Sequence, residues 1–364
     1  MSAICLKYRL YPTKTQVHSL ERTLSTCRHV YNWMLQDRND EYESRKHSLT
    51  CFEQQARLKI FRETWAELQD VHSQVLQNVA VRVDLAFKSF FRRVKSGEKP
   101  GYPRFKGRDW YDSFTYPQSG FVVTDEGLKL SKIGTLKIKL HRAIVGKIKT
   151  CTIRRQNGKW YACFSCEVEC DKLPSTEKSI GIDVGLEKFA SISDGSFVEN
   201  PRFFRKEEKA LTKVQRKLSK CDKGTRERRK ARKVVARVHE RIRNRRHNFV
   251  HQLSRKIVNE NDVIVVEKLN TENMLGNHCL AKSISDASWT QFRNCLAYKA
   301  ESAGRKLIAV NPAYTSQDCS GCGYRAKKPL KERWHHCPMC GLSLDRDTNA
   351  AINILRLGLQ SLSG

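Results

Sequence analysis

A chain of 364 residues with 39% hydrophobic content has room for two or three domains with real cores. Its 68 Lys+Arg against 38 Asp+Glu leave a formal net charge of +30. That excess is too large for solubility alone and predicts a polyanionic partner, nucleic acid ahead of anionic membrane. The start MSAICLKYRLYP lacks an apolar run of signal-peptide length, and no stretch of about 18 uncharged apolar residues occurs, so no transmembrane helix, a soluble intracellular protein and no disulfide framework among the 14 cysteines are expected.

In chain order, residues 3–10 (AICLKYRL) alternate as a strand, and Leu20, Leu24, Cys27, Tyr31 and Leu35 set a helical period over 15–40. A second helical region runs from about 51 to 95, through Phe52, Leu58, Trp65, Leu68 and VAVRVDLAFKSFFRRV. SGEKPGYP (96–103) breaks it with two Pro and two Gly. Residues 104–170 show short alternating runs with turn signals, which predict antiparallel β structure. The first strand is expected to join that sheet, with the helices inserted into it. KSIGIDVGLEKFASISDGSFVEN (178–200) reads as three strands with an Asp-Gly hairpin turn. Two long basic helices over 205–257, separated near Cys221–Thr225, precede a short buried strand in DVIVVEKLN (262–270). A helix over 289–305 and a strand in RKLIAVNP (305–312) follow, making the second half α/β.

Segment 201–256 carries 22 Lys+Arg against 5 Asp+Glu, a net of +17. Its apolar residues (Leu211, Val214, Leu218, then Val235, Val238, Ile242, Phe249, Leu253 and Ile257) still keep a helical period. One stripe therefore packs while the remaining surface presents cations, Arg229, Arg241 and Arg245 among them. The imbalance is too one-sided for salt bridging within a helix and points to phosphate contact rather than sequence readout. YPRFKGRDWYDSFTYP (102–117) interleaves Arg104, Lys106 and Arg108 with Phe105, Trp110, Tyr111, Phe114 and Tyr116. Such a segment stacks bases and holds phosphates, or else its aromatics fill a hairpin core; the sequence leaves both open.

Three Cys-x-x-Cys matches occur. CSGC (319–322) and CPMC (337–340) are each followed by Gly; the 14 residues between them fall slightly under the usual range, yet two such knuckles supply four thiolates, Cys319, Cys322, Cys337 and Cys340, for one structural Zn²⁺. His335 and His336 adjoin Cys337, but four cysteines already fill a tetrahedral shell. CFSC (163–166) lies in an alternating strand, where residues three apart face opposite ways, so it is read as an accidental match.

Three carboxylates stand at element ends. Asp183 closes IGIDVG, Glu267 closes DVIVVE, and Asp347 precedes TNAAINIL. Singly they read as a turn residue, a sheet-edge acid and a helix N-cap. Together, in a strongly cationic chain, they form the set that two-metal phosphodiester hydrolysis requires around Mg²⁺. Asp345 reads as a surface or supporting residue.

The order GIDVG, VVEKLN, a four-cysteine ribbon and DRDTNAAINI resembles the TnpB family, transposon-encoded relatives of type V CRISPR effectors. The likeness extends to QVLQNVAVRVDLAFKSFFRR, YPRFKGRDWYDSFTYP and SWTQFRNCLAYKAESAGRKLIAVNPAYTSQDCSGCG, and so spans nearly the whole chain. The resemblance implies a RuvC-like nuclease of the RNase H class over 173–310 and 343–364, with Asp183, Glu267 and Asp347 catalytic. It further implies a zinc ribbon insertion over 311–342, an N-terminal wedge β-barrel over 1–12 and 96–172, and an inserted helical recognition domain over 13–95. The fold expected is thus multidomain α/β plus β-barrel. The activity implied is Mg²⁺-dependent DNA cleavage, guided by an RNA from the transposon end, on double-stranded DNA beside a short motif. A monomer in a prokaryotic cytoplasm is favoured. Gln77 and Asn78 are candidate readers of that motif, since amides pair with adenine, although a helix-surface amide is the simpler reading. The chain is short for the family, which implies a reduced recognition lobe; the motif acids are intact. The alternatives are a nuclease-inactive RNA-guided repressor and a DNA transposase or recombinase.

Overall fold

The computed structural model describes residues 2–170, 172–326, 329 and 332–363. Residues 1–169 and 170–364 form two compact units. None of the described helices is long and apolar enough to cross a membrane.

The first unit starts with β1 (Ser2–Tyr11), followed by α1 (Lys14–Arg45), α2 (Cys51–Thr64) and α3 (Ser73–Lys95). Six strands complete it: β2 (Ser113–Tyr116), β3 (Phe121–Thr124), β4 (Gly127–Leu130), β5 (Gly134–Lys139), β6 (Lys147–Gln156) and β7 (Lys159–Val168). Reciprocal capping boxes, Thr13 with Gln16 and Thr50 with Glu53, start α1 and α2 by satisfying backbone N–H groups that have no partner inside the helix. The apolar period expected to continue from 51 to 95 is interrupted at 65–72. It runs on across the break because Leu58, Leu68, Val71 and Val75 all bury in one core.

The sheet is antiparallel, in the order β2-β6-β7-β1-β5-β4-β3, so the first strand sits in its middle. Its inward side chains, Leu6, Tyr8, Leu10, Trp160, Ala162, Phe164 and Cys166, pack with Leu24, Val30 and Met34 of α1 and with Leu76, Val79 and Val83 of α3. The Leu, Val, Phe and Met side chains among these contribute roughly 1.5–3 kcal/mol each on leaving water. The edges β2 and β3 meet through the rings of Tyr116 and Phe121, centroids 6.4 Å apart, not through a backbone ladder. The expected barrel is therefore a near-barrel.

The second unit begins with β8 (Ser179–Val184), β9 (Lys188–Ile192) and β10 (Phe197–Glu199). Two basic helices follow, α4 (Phe203–Ser219) and α5 (Arg226–Glu260), then β11 (Val263–Glu267), α6 (Thr271–Leu275), α7 (Ala281–Ala287), α8 (Trp289–Ala303) and β12 (Lys306–Val310). A small hairpin, β13 (Trp334–His336) with β14 (Ser343–Asp345), leads into α9 (Arg346–Ser363). The sheet order is β10-β9-β8-β11-β12. The first three strands form an antiparallel meander, while β8, β11 and β12 are parallel. Parallel strands are buried on both faces, which is why IGI and VIVV are apolar without interruption. Ile180, Ile182, Ile264 and Val266 face α5 and α8. Val263, Val265, Ile308 and Val310 face Ile354 and Leu355 of α9.

Candidate active site

β8 and β11 run parallel with Val266 beside Ile182, so Asp183 and Glu267 occupy the next position of two adjacent strands. Neighbouring strands lie about 4.8 Å apart, and the strand period puts both acids on the face covered by α9. Gly181 shares that face. A Cβ there would lie 2.1 Å from the Ala351 carbonyl oxygen and 2.7 Å from the Leu355 nitrogen, so α9 rests directly on the strand backbone. Two residues forward on β8 is about 6.6 Å, and four residues back on α9 is about 6 Å. Those steps lead to Asp183 and to Asp347, whose charge acts on Asp183.

All three acids are half-buried. Burial, then the charges of Glu267 and Asp347, hold the Asp183 carboxyl well above its usual range, against a smaller opposing effect of Arg346. Burial also raises Glu267, opposed by a hydrogen bond that the Thr315 hydroxyl donates to Glu267 Oε1 at 2.6 Å. A buried carboxyl whose charge is disfavoured by two neighbouring acids, as Asp183 is, takes up positive charge, either a proton or a hard divalent cation with oxygen preference.

Asp345 and Asp347 divide two roles. Asp345 Oδ1 accepts from the backbone N–H of Asp347 (3.0 Å) and Thr348 (3.1 Å), and Oδ2 accepts from Lys188 Nζ at 2.9 Å. Burial pushes Asp345 upward, but the Lys188 bond and the two N–H groups outweigh it and hold its carboxyl below the usual range. Asp345 thus caps α9, the role that Asp347 could have filled, and the Asp347 carboxylate lies between the acid cluster and the Arg333 guanidinium, which is 4.0 Å from Asp347 Oδ2.

The four thiols lie within 4.8 Å of one another. Cys319 Sγ is 3.6 Å from Cys340 Sγ, and Cys322 Sγ is 3.5 Å from Cys337 Sγ. A tetrahedral Zn²⁺ with 2.3 Å bonds sets sulfurs about 3.8 Å apart. The two knuckles repeat one bonding pattern. Gly323 and Gly341 N–H donate to the carbonyls of Cys319 and Cys337, and the Cys319 and Cys337 N–H groups donate to the carbonyls of Tyr324 and Leu342. Both glycines have positive φ, +77° and +72°, which this turn needs. The Cys340 N–H, with that of Met339, points at the Cys337 sulfur and brings its thiol down to about 6. His335 is buried, His336 is exposed, and neither belongs to the thiol group. CFSC is strand throughout, with Cys166 fully buried and Cys163 on the other face.

The cationic candidates fall into different settings. Arg229 is exposed on α5. Arg241 and Arg245 both pair with Glu207 of α4, at 3.3 and 2.9 Å, while more than half of each side chain stays in solvent. Two guanidiniums share one carboxylate, so a net positive charge remains at the α4–α5 seam. In the first unit Arg104 is exposed, and Lys106 is half-buried with its backbone bonded to the Asn32 side chain. The aromatic segment divides: Tyr102, Phe105 and Trp110 are exposed, whereas Tyr111, Phe114 and Tyr116 are core. Gln77 is exposed on α3. The Asn78 amide oxygen accepts from Arg82, which in turn donates to the Ser113 carbonyl and the Thr115 hydroxyl of β2. That chain of bonds gives Asn78 a bracing role.

Sequence reading missed Gly181, Thr315, Asn349 and Asn353. The last two are fully buried amides, four residues apart on α9. Two asparagines at apolar positions of one helix face were a usable signal.

Three family profiles match. One described as "Probable transposase" covers residues 163–278, one described as "Cas12f1-like, TNB domain" covers 289–354, and one described as "Helix-turn-helix domain" covers 2–47. Here the last span holds β1 and the single long helix α1. A "Putative RNA-guided DNA endonuclease" of Streptomyces pristinaespiralis is 36% identical, covering 97% of this chain and 89% of that protein. The "Putative RNA-guided DNA endonuclease InsQ" of Escherichia coli (strain K12) is 32% identical over 97% and 91%. Among solved structures, "Structure of the mini-RNA-guided endonuclease CRISPR-Cas_phi3" aligns at TM-score 0.56 and 10% identity, over 98% of this chain and 92% of that one, a likeness of fold. With such identity along almost its entire length, this chain belongs to the TnpB family.

Proposed function

We propose that this protein is an RNA-guided DNA endonuclease that hydrolyses phosphodiester bonds at Asp183, Glu267 and Asp347. The observation that carries the reading is the convergence of these acids at one end of the sheet in a chain of net charge +30. Relatives of nearly the same length are named as RNA-guided DNA endonucleases. The order β10-β9-β8-β11-β12, an antiparallel meander continued by two parallel strands, supports a RuvC-like core of the RNase H class. On this reading residues 311–342 are a zinc ribbon and the first unit is the wedge and recognition region.

The carboxylate set fits Mg²⁺, a hard cation held by oxygen ligands. When bound there, Mg²⁺ supplies charge neutralisation at the scissile phosphate and an activated water. The chain's own residues do the rest. Asp345 and Lys188 fix the start of α9, Gly181 lets that helix reach the sheet, and Thr315 orients Glu267. Cations of α4 and α5 offset backbone charge, which positions guide RNA and target DNA without reading sequence. The four cysteines take Zn²⁺, a closed site with no open position for chemistry.

Sequencing the RNA that co-purifies with the protein, then offering a matching plasmid with Mg²⁺ or with EDTA, tests this reading. A discrete RNA and target-dependent breaks that need Mg²⁺ are expected. The transposase description of the profile over 163–278 favours a second reading, and joined strands in place of breaks would select it.

A further inference from the structure

We infer that Thr315 is the positioning residue for the Glu267 carboxylate, and that two buried asparagines of α9 tie this contact to the first cysteine knuckle. The ribbon thereby sets the geometry of the acid cluster. The inference rests on the reading of Glu267 as a metal-binding acid.

Thr315 is 3% exposed. Its hydroxyl has two acceptors in reach, Glu267 Oε1 at 2.6 Å and the Pro312 carbonyl at 3.2 Å. A hydroxyl carries one proton, and the shorter, charge-assisted bond to the carboxylate takes it. That bond fixes the rotation of a side chain that otherwise turns about three torsions. Thr315 is itself held from behind. Its carbonyl accepts from Asn353 Nδ2 at 2.9 Å, and the same amide donates to the Asp318 carbonyl at 2.7 Å. Asn349 Nδ2 donates to the Asp318 carbonyl at 2.8 Å, and Asn349 Oδ1 accepts from the Ser320 N–H at 2.9 Å. Cys319, the first thiol of the cluster, lies between those two anchored residues and is fully buried.

An unbroken run of bonds therefore leads from the knuckle, through α9, to Thr315 and Glu267. α9 also carries Asp347, so one helix presents its own acid to the cluster and fixes the support of another. Polar groups this deeply buried are costly unless bonded; each amide donor named here has a backbone acceptor, while the buried Asn353 amide oxygen has no partner among the described residues. Residues that orient metal-binding carboxylates typically change metal affinity or activity by 10- to 100-fold when altered.

The test compares Thr315→Val and Thr315→Ser with the wild type, as the RNA complex with zinc retained. Mn²⁺ binding is read by electron paramagnetic resonance, alongside the Mg²⁺ dependence of cleavage. Thr315→Val should weaken Mn²⁺ binding roughly 10-fold and raise the half-maximal Mg²⁺ concentration by a similar factor, at unchanged zinc content. Thr315→Ser keeps the hydroxyl and should restore both. Asn353→Ala should weaken Mn²⁺ binding alone but add nothing in the Thr315→Val background. Wild-type Mn²⁺ binding and Mg²⁺ dependence in Thr315→Val would overturn the inference. Glu267→Gln separates the two levels: if it cleaves normally the reading of the site fails, and if it is inactive while Thr315→Val behaves as wild type only the positioning role fails.

Discussion

Gly181→Ala tests the architecture of the site with one methyl group. The new Cβ would lie 2.1 Å from the Ala351 oxygen and 2.7 Å from the Leu355 nitrogen. Both are backbone atoms, so no side-chain rotation relieves the clash, and α9 must recede by more than about 1 Å to restore ordinary contact. Asp347 stands one turn before Ala351 and moves with the helix. Overpacking of this kind costs roughly 1–3 kcal/mol. A reacting group displaced by about 1 Å costs about 100-fold in rate. Single-turnover cleavage of a guide-matched plasmid should fall about 100-fold, while guided DNA binding stays near wild type. Gly358→Ala is the control. Its Cβ would press on the Val265 methyl groups at 2.4 Å, three helical turns from Asp347. It should lower the melting temperature comparably, by about 2–4 °C per kcal/mol, yet spare most of the cleavage rate. Equal rate losses in the two variants would reduce the effect to stability, and a wild-type rate in Gly181→Ala would refute the placement of Asp347.

Asp183→Ala, Glu267→Ala and Asp347→Ala should each lower plasmid cleavage by about 10⁴-fold or more, as for members of one catalytic unit, with gel shifts still showing guided DNA binding. The raised folded-state value of Asp183 means that its contribution to stability is present below the usual aspartate range near 4 and is lost as pH rises through the folded value. Melts in EDTA should therefore lose stability over that rise; Asp183→Asn should flatten the dependence, and Mg²⁺ should stabilise the wild type more than the variant. Cys319→Ser removes one of four thiolates, and a zinc affinity lower by roughly 1,000-fold costs about 4 kcal/mol of linked stability. Metal content and thermal melts check this, and full zinc occupancy with an unchanged melt would count against the four-thiol site.

Much of this protein was legible from local pattern. The two basic helices, their apolar stripes and the break between them follow from helical period and charge, and α4 and α5 lie where that period predicts. The knuckles follow from Cys-x-x-Cys-Gly, and CFSC was set apart because the strand period separates its two sulfurs. Where the readings diverge from the structure, packing made the decision. The helical period from 51 to 95 could not reveal the interruption at 65–72, because both helices bury their stripes in one core. The aromatic segment could not be divided into exposed and buried halves until β2 was seen lining the sheet's edge. Arg241 and Arg245 read as unpaired cations until α4 brought Glu207 against them.

By itself the sequence determined which chemistry is present: a polycation, a four-thiol clasp and acids at the ends of apolar strands. These depend on residue type and on spacing within a few residues, so they are written locally. Only the tertiary structure decided how the chemistry assembles. Strand register put Asp183 beside Glu267, a glycine on β8 let α9 approach, and the cap formed by Asp345 released Asp347 to join them. Such relations depend on which faces meet across long stretches of chain. Free energy selects them through burial and hydrogen bonding of the whole unit, and no single segment carries them.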